Sequence, residues 1–176
     1  FRPGAAIRGG VPVVFPQFAG FGSLPKHGFA RSMAWTFAGA AESDARASAH
    51  FMLAADAATR QIWPHDFQAE LTVIVGGSQL TVTLAITNRG AGPLHFTAAL
   101  HTYLAVDDLA AATVTGLTGG RYADSAAGGA EPLQAVGARL TASDPAVADG
   151  AVRALCAWSE PGALPLVSYT LDLLWQ

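Results

Sequence analysis

Phe67-Gln68-Ala69-Glu70-Leu71-Thr72-Val73-Ile74-Val75 is followed by Gly76-Gly77-Ser78. Then comes Leu80-Thr81-Val82-Thr83-Leu84-Ala85-Ile86-Thr87. Both runs alternate with period two, the period at which a strand sends side chains to opposite faces. Phe67, Ala69, Leu71, Val73 and Val75 share one face of the first run, opposite Gln68, Glu70, Thr72 and Ile74. Leu80, Val82, Leu84 and Ile86 share a face of the second. Two such runs around a short glycine turn predict a β-hairpin. Outward from it, Asn88-Arg89-Gly90-Ala91-Gly92-Pro93 reads as a second turn, leading into a third predicted strand, His95 to Leu104. There Phe96, Ala98, Leu100, Thr102 and Leu104 make a core face, while His95, Thr97, Ala99, His101 and Tyr103 make a polar one. A strand buried on both sides normally carries aliphatic residues on both. Two imidazoles, a hydroxyl and a phenol on one face are therefore expected to look into a cleft.

The flanking segments extend this meander. Met33–Phe37 and Ala49–Ala54 read as strands, joined by a link of alanine, serine and charged residues. Thr59–Pro64 reads as a further short strand or a loop. Val114–Leu117 and Tyr122–Asp124 read as strands around Gly119-Gly120. Ala151–Trp158 and Leu166–Trp175 fit strand or helix equally. Residues 1–31 are dense in glycine and proline, which excludes a long helix there. They predict a short strand at Val11–Phe15 and then an ordered loop carrying Arg8, Gln17, Lys26, His27 and Arg31. The fold class is antiparallel all-β, a sandwich or a barrel.

The totals bound the function. The chain has 176 residues, enough for one domain with a sizeable core. It is 51% hydrophobic, 13% charged and carries a formal net charge of -3. Lys26 is its one lysine, so a nucleic-acid surface is not expected. Cys156 is its one cysteine, which excludes an internal disulfide framework and suits a reducing cytoplasm. No apolar run is long enough to span a bilayer, and the opening Phe1-Arg2-Pro3-Gly4 is not a signal peptide.

Five histidines raise the question of a metal. His95 and His101 are six residues apart on one strand, ~20 Å at ~3.3 Å per residue, too far to share an ion. No histidine pair at ligand spacing is backed by carboxylates, so no metal is expected. The chain has no nucleophile elbow and no phosphate-binding glycine loop followed by Lys-Ser/Thr. What remains is proton transfer by histidine, which titrates near neutrality, with arginine to hold an anion.

The blocks Ala6-Ile7-Arg8-Gly9-Gly10-Val11-Pro12-Val13-Val14-Phe15-Pro16-Gln17-Phe18, Leu24-Pro25-Lys26-His27-Gly28-Phe29-Ala30-Arg31 and Trp63-Pro64-His65-Asp66-Phe67 follow one another in order. After them come Asn88, Phe96-Thr97-Ala98-Ala99-Leu100-His101-Thr102-Tyr103, Gly116-Leu117 and Tyr122-Ala123-Asp124. Together they resemble the hexose-6-phosphate mutarotases (glucose-6-phosphate 1-epimerases) of the aldose 1-epimerase superfamily. The resemblance is strongest over residues 6–124. It implies a large antiparallel β-sandwich of the galactose mutarotase-like supersandwich type, of which residues 1–176 would be one incomplete domain. A chain that opens without Met agrees with that expectation.

By resemblance, the reaction interconverts the anomers of an aldose 6-phosphate without a cofactor. His101 would be the general acid, His27 would hydrogen-bond the sugar, and Arg8 and Arg31 would hold the phosphate. Asp124 would bind sugar hydroxyls, and Gln17 and Tyr103 would line the site. His65 would be a loop or capping residue, and His95 would face the edge of the site or solvent. The family's general base is a glutamate in a late block that this chain does not show. Glu131 comes too soon after Asp124, which leaves Glu160 by chain order, with the alternative that the base lies outside this sequence. The expected partner is a small sugar phosphate, with no nucleic acid, no membrane and a monomeric, cytoplasmic protein. A mutarotase of an unphosphorylated aldose, a non-catalytic sugar-binding sandwich and a module of a larger carbohydrate enzyme are the alternatives.

Overall fold

The structure, a computed structural model, describes residues 9–103, 113–115, 121–122, 134–135, 139–141 and 166–172. In chain order the elements are β1 (Val13–Val14), β2 (Thr36–Glu42), β3 (Ala47–Ala54), α1 (Ala57–Ile62), β4 (Phe67–Gly76), β5 (Gln79–Asn88) and β6 (Ala99–Leu100). Then follow β7 (Thr113–Thr115), β8 (Arg121–Tyr122), β9 (Gln134–Ala135), β10 (Arg139–Thr141) and β11 (Leu166–Asp172). Among the described residues every paired strand is antiparallel, as expected of an all-β antiparallel fold, and Phe15 with Gly28 adds an isolated parallel bridge. Two compact units divide the chain.

The larger unit, Val13–Leu100 with Ala154–Gln176, is built on a five-stranded sheet in the order β11-β5-β4-β3-β2. The predicted hairpin is its centre. Gly76 pairs with Gln79, leaving Gly77-Ser78 as the turn. Gly77 has φ +56 at the first central position, the seat that favours glycine in a two-residue hairpin turn. Register then sorts the side chains by chemistry. Leu53, Ala69 and Ile86 form one cross-strand row, Phe51, Leu71 and Leu84 the next, and Ala49, Val73 and Val82 the third. Leu53, Ala69, Ile86, Leu84 and Val82 of this face are buried. The intervening rows, such as His50, Thr72 and Thr83, make the polar face.

A second, aromatic core lies in the same unit. Phe15 is fully buried and meets Phe29, Trp63, Phe67 and Phe96 edge to face, with ring centroids 6.4, 5.5, 5.2 and 5.2 Å away. Edge-to-face pairs in this range add ~0.5–1.5 kcal/mol each beyond the area they bury.

Three expectations are corrected here. The strand predicted at Met33–Phe37 starts later and runs Thr36–Glu42, with a bulge between Phe37 and Gly39. A 3-10 turn at Ala30–Ser32 holds the chain before it: the Met33 N–H bonds the Ala30 carbonyl, which also accepts the Trp35 indole N–H at 2.9 Å. The strand then continues through Ala38–Glu42, whose alanines and glycine carry little strand signal.

Thr59–Pro64, expected as a short strand or a loop, carries no strand: Thr59–Ile62 is the end of α1, and Trp63-Pro64 follow it as loop. Asp56 caps this helix by accepting the Thr59 N–H at 2.7 Å, and the Thr59 hydroxyl returns a bond to the Asp56 N–H at 2.8 Å. That capping box outweighs the short apolar run. The Thr59 N–H holds the Asp56 carboxyl below its ordinary 3.8, with burial opposing and the Thr59 hydroxyl, Ala58 N–H and Arg60 assisting.

The predicted strand His95–Leu104 is cut down to Ala99–Leu100, which pairs with Val13–Val14. Proline explains this. Pro16 accepts the Thr97 N–H at 3.0 Å but has no N–H to return, so the ladder loses a bond beyond β1.

The smaller unit, Phe1–Pro12 with His101–Arg153, pairs β7 with β10 and β8 with β9. β7 begins one residue before the predicted Val114–Leu117 and β8 one residue before the predicted Tyr122–Asp124, while Gly116-Leu117 and Ala123-Asp124 lie outside the described residues. In the larger unit, the ambiguous Leu166–Trp175 stretch resolves as strand over Leu166–Asp172. Ala151–Trp158 lies outside the described residues. Among the described residues no helix is long and apolar enough to cross a membrane.

Candidate active site

The glycine- and proline-rich segment is ordered by one carbonyl. The Phe15 oxygen accepts the Phe29 N–H at 3.1 Å and the Ala30 N–H at 3.2 Å. This docks the His27–Arg31 stretch onto Phe15-Pro16, whose peptide bond is cis. Gly28 makes the approach possible. It has φ +66, and a β-carbon there would collide with the Phe15 carbonyl and lie 2.7 Å from the Pro16 nitrogen. A residue with any side chain is excluded from that seat.

Gln17 follows the cis proline and is 5% exposed. Its carboxamide spans the loop that comes next. Nε2 donates to the Leu24 carbonyl at 3.0 Å and the Ala19 carbonyl at 3.3 Å, and Oε1 accepts the Leu24 N–H at 3.0 Å. Gly22 is packed so closely that a β-carbon there would strike Oε1. The neighbouring Phe18 N–H donates to the Thr97 hydroxyl at 2.6 Å. A cleft of about 290 Å³ opens beside this loop, lined by Gln17, Ser23, Trp63, His95, Phe96 and Thr97 among others.

His27 is half-buried, with φ +70. The Gly28 N–H bonds the Pro25 carbonyl at 2.8 Å, so Pro25-Lys26-His27-Gly28 is a β-turn with His27 at its third position. A positive φ at that position is what glycine usually supplies in a type II turn. An imidazole held there is strained by ~1–3 kcal/mol, the kind of cost that persists where surrounding bonds over-determine it. Those bonds converge on Ala19, itself at φ +50. The His27 N–H donates to the Ala19 carbonyl at 2.9 Å, and the Ala19 N–H donates to His27 Nδ1 at 3.3 Å. The edge-to-face contact with Phe18, at 5.6 Å, holds the ring plane.

Arg31 is exposed in the 3-10 turn that follows. Its Nη2 donates to the Lys26 carbonyl at 2.9 Å, fixing the guanidinium beside the same turn. Gln17, His27 and Arg31 are thus brought together in one hydrogen-bonded segment of the larger unit.

His101 and Tyr103 belong to the smaller unit. The His101 N–H bonds the Pro12 carbonyl and the Tyr103 N–H the Gly10 carbonyl, both at 2.9 Å. The two rings stack at 4.9 Å with planes 27° apart, so they share a face, as two-residue spacing on extended chain requires. Both are half-buried. His65 packs its ring on Trp63 at 4.5 Å within a loop, and His95 is exposed. Arg8, Asp124, Glu131 and Glu160 lie outside the described residues. No cluster of three metal-ligating side chains occurs among the described residues.

The sequence did not reveal Ala19 as the residue that anchors His27. No residue pattern announces it: in Pro25-Lys26-His27-Gly28 the proline and glycine hold the outer turn positions, which suits a type I turn as well as the positive φ that His27 takes.

The family profile of aldose 1-epimerases matches residues 1–138. The chain belongs to the aldose 1-epimerase family. Among relatives, an Escherichia coli (strain K12) protein provisionally named glucose-6-phosphate 1-epimerase is 39% identical over 126 residues, 70% of this chain and 41% of its own length. A Cenchrus ciliaris protein of the same provisional name is 35% identical over 137 residues, 71% and 40% of the two chains. The crystal structure of a provisionally named mutarotase from Salmonella typhimurium superposes with a TM-score of 0.66 at 34% identity, covering 80% of this chain and 46% of that one. The chain therefore spans about 41% of the length of the bacterial relatives it matches. Family membership bears out the all-β, mutarotase-like fold expected from the ordered sequence blocks.

Proposed function

We propose that the protein of which this chain forms part interconverts the α and β anomers of an aldose 6-phosphate. Membership of the aldose 1-epimerase family carries the reading, because the matched residues include the half-buried His101 on its polar, ring-stacked face. In the proposed chemistry a base takes the proton of the anomeric hydroxyl while His101 gives a proton to the ring oxygen. The C1–O5 bond breaks and leaves an open-chain aldehyde. Rotation about C1–C2 and the reverse proton transfers close the ring on the other face. Histidine suits the acid because it exchanges a proton near neutral pH.

His27 hydrogen-bonds the sugar, Arg31 and Arg8 bind the phosphate as fork-shaped donors, and Gln17 and Asp124 complete the sugar site. Glu160 is the candidate base by chain order among the carboxylates of this sequence, with a glutamate outside it as the alternative. The cytoplasm is the setting that a single cysteine suits.

Two observations favour the phosphate over a plain sugar. The relatives are named for glucose 6-phosphate, and Arg31 is tethered next to His27 by a backbone carbonyl. The test is polarimetry on freshly dissolved α-glucose 6-phosphate and α-glucose side by side. The proposal expects catalysis of the phosphorylated sugar at much lower KM. Equal KM for the two sugars, unmoved by Arg31→Ala, would assign the protein to unphosphorylated aldoses.

A further inference from the structure

The hydrogen bonds around Ala19 constrain the chemical form of His27. A backbone N–H can only donate, so His27 Nδ1, which receives the Ala19 N–H, must be the unprotonated ring nitrogen. In the neutral imidazole the proton is then on Nε2. Phe18 stands against the ring edge to face, and the His27 main-chain N–H, bonded to the Ala19 carbonyl, keeps the residue against Ala19.

Ala19 is itself held, and from the other side. It takes a positive φ that costs an alanine ~1–2 kcal/mol, so it needs external support. Gln17 gives that support: one carboxamide proton goes to the Ala19 carbonyl, while the rest of the group bridges to both backbone atoms of Leu24. The fit of Gly22 against Oε1 leaves the carboxamide no second position on that side. Phe18, between the two, is pinned by its own bond to Thr97.

We propose that Gln17 is a positioning residue that acts through Ala19 to lock His27 in the Nε2–H tautomer, so that His27 meets its sugar as a hydrogen-bond donor and never as the proton acceptor of ring opening. The proposal rests on the placement of His27 in the sugar site. Gln17 takes its part in the sugar site as support of the residue that makes the contact. The locked tautomer also narrows the search for the base: a ring whose only bare nitrogen is occupied by a backbone N–H has no lone pair for an anomeric proton.

Long-range proton–nitrogen spectra of the protein with 15N-labelled histidine, at about pH 8 where a histidine of ordinary pKa is neutral, read the tautomer directly. The His27 signals are assigned by their loss in His27→Asn. The expected wild-type pattern is a protonated Nε2 and a bare Nδ1. Gln17→Met, which keeps the volume and removes all three bonds, is expected to give a mixture of tautomers. Gly22→Ala, which pushes the carboxamide away without touching it chemically, is expected to do the same.

Mutarotation measured on the same samples is expected to show KM for the sugar raised about twofold where the tautomers are evenly mixed, and up to about tenfold, the upper worth of one hydrogen bond, where the Nδ1–H form dominates, with kcat changed by less than about threefold. A wild-type His27 protonated on Nδ1 overturns the proposal, whatever the variants do. So does an unchanged tautomer in both Gln17→Met and Gly22→Ala, or a collapse of kcat at constant KM. Should the wild-type protein show the predicted tautomer and the variants lose it, yet no sample catalyse mutarotation, the locking by Gln17 stands and the assigned reaction fails.

Discussion

Replacing Gly28 by alanine tests how the His27 segment is fastened. The added β-carbon would meet the Phe15 carbonyl at a distance no structure allows, and the Pro16 nitrogen at 2.7 Å. These are backbone atoms of a fully buried residue and its neighbour, so no flexible side chain can yield. Three costs follow. Left-handed backbone at φ +66 costs an alanine ~1–2 kcal/mol. Forcing the strands of the segment apart costs ~1–3 kcal/mol as overpacking. The two bonds onto the Phe15 oxygen, from Phe29 and Ala30, are worth ~0.5–1.5 kcal/mol each when stretched beyond range.

The expected loss is about 3–8 kcal/mol, against ~5–15 kcal/mol for a whole domain. Urea unfolding followed by circular dichroism measures it. At a slope of ~1–3 kcal/mol per molar, the midpoint should fall by roughly 2 M, with the slope unchanged. Gly20→Ala is the control, since a β-carbon there meets nothing within 4 Å and the backbone is not left-handed. Its midpoint should stay within ~0.5 kcal/mol of wild type. A Gly28→Ala protein as stable as the Gly20→Ala control would refute the packing of His27–Arg31 onto Phe15.

Phe15→Ala should cost ~3–5 kcal/mol by calorimetry, because four rings lose their common edge partner, whereas Phe21→Ala, 67% exposed, should change little. Asp56→Asn should lower stability most above about pH 4. The Asp56 carboxyl titrates below 3.8 when folded, so its stabilising charge is complete above that value and is lost as pH falls through the folded pKa. A wild-type–Asp56→Asn difference in melting temperature that stays constant down to strongly acid pH would contradict this. Arg31→Ala should raise KM for the sugar phosphate by tenfold or more and leave any activity on the unphosphorylated sugar alone, as paired kinetics with the two sugars would show.

The centre of the fold was legible because hairpin β4–β5 obeys the strand rules nearly throughout: alternation on both strands, glycine where the turn needs positive φ, and polar residues on the open face except Asn88, which pairs with Phe67. Where one rule opposed another, the reading missed. Asp56-Ala57-Ala58-Thr59 carried a helix cap, but the short run after it looked like strand. His95–Leu104 alternates as a strand should, yet its pairing depends on Pro12 and Pro16, far earlier in the chain, and no property of the stretch itself reports that.

Of the site, residue types and order were legible, since His27 and His101 stand in distinctive blocks. Their geometry was not. That His27 occupies a glycine-like turn position, with Nδ1 bonded to Ala19, depends on a loop closed by Gln17, and hydrogen bonds between residues two to eight positions apart leave no periodic trace.

In the proposed reaction, anomer interconversion turns on proton transfer by His101. The most direct measurement is polarimetry on fresh α-glucose 6-phosphate with wild-type protein and His101→Asn, circular dichroism confirming that both are folded. Loss of a general acid lowers the rate by ~10²–10⁴-fold, and that is the predicted result, with KM little changed. A folded His101→Asn protein that brings the sugar to anomeric equilibrium as fast as the wild type would contradict it.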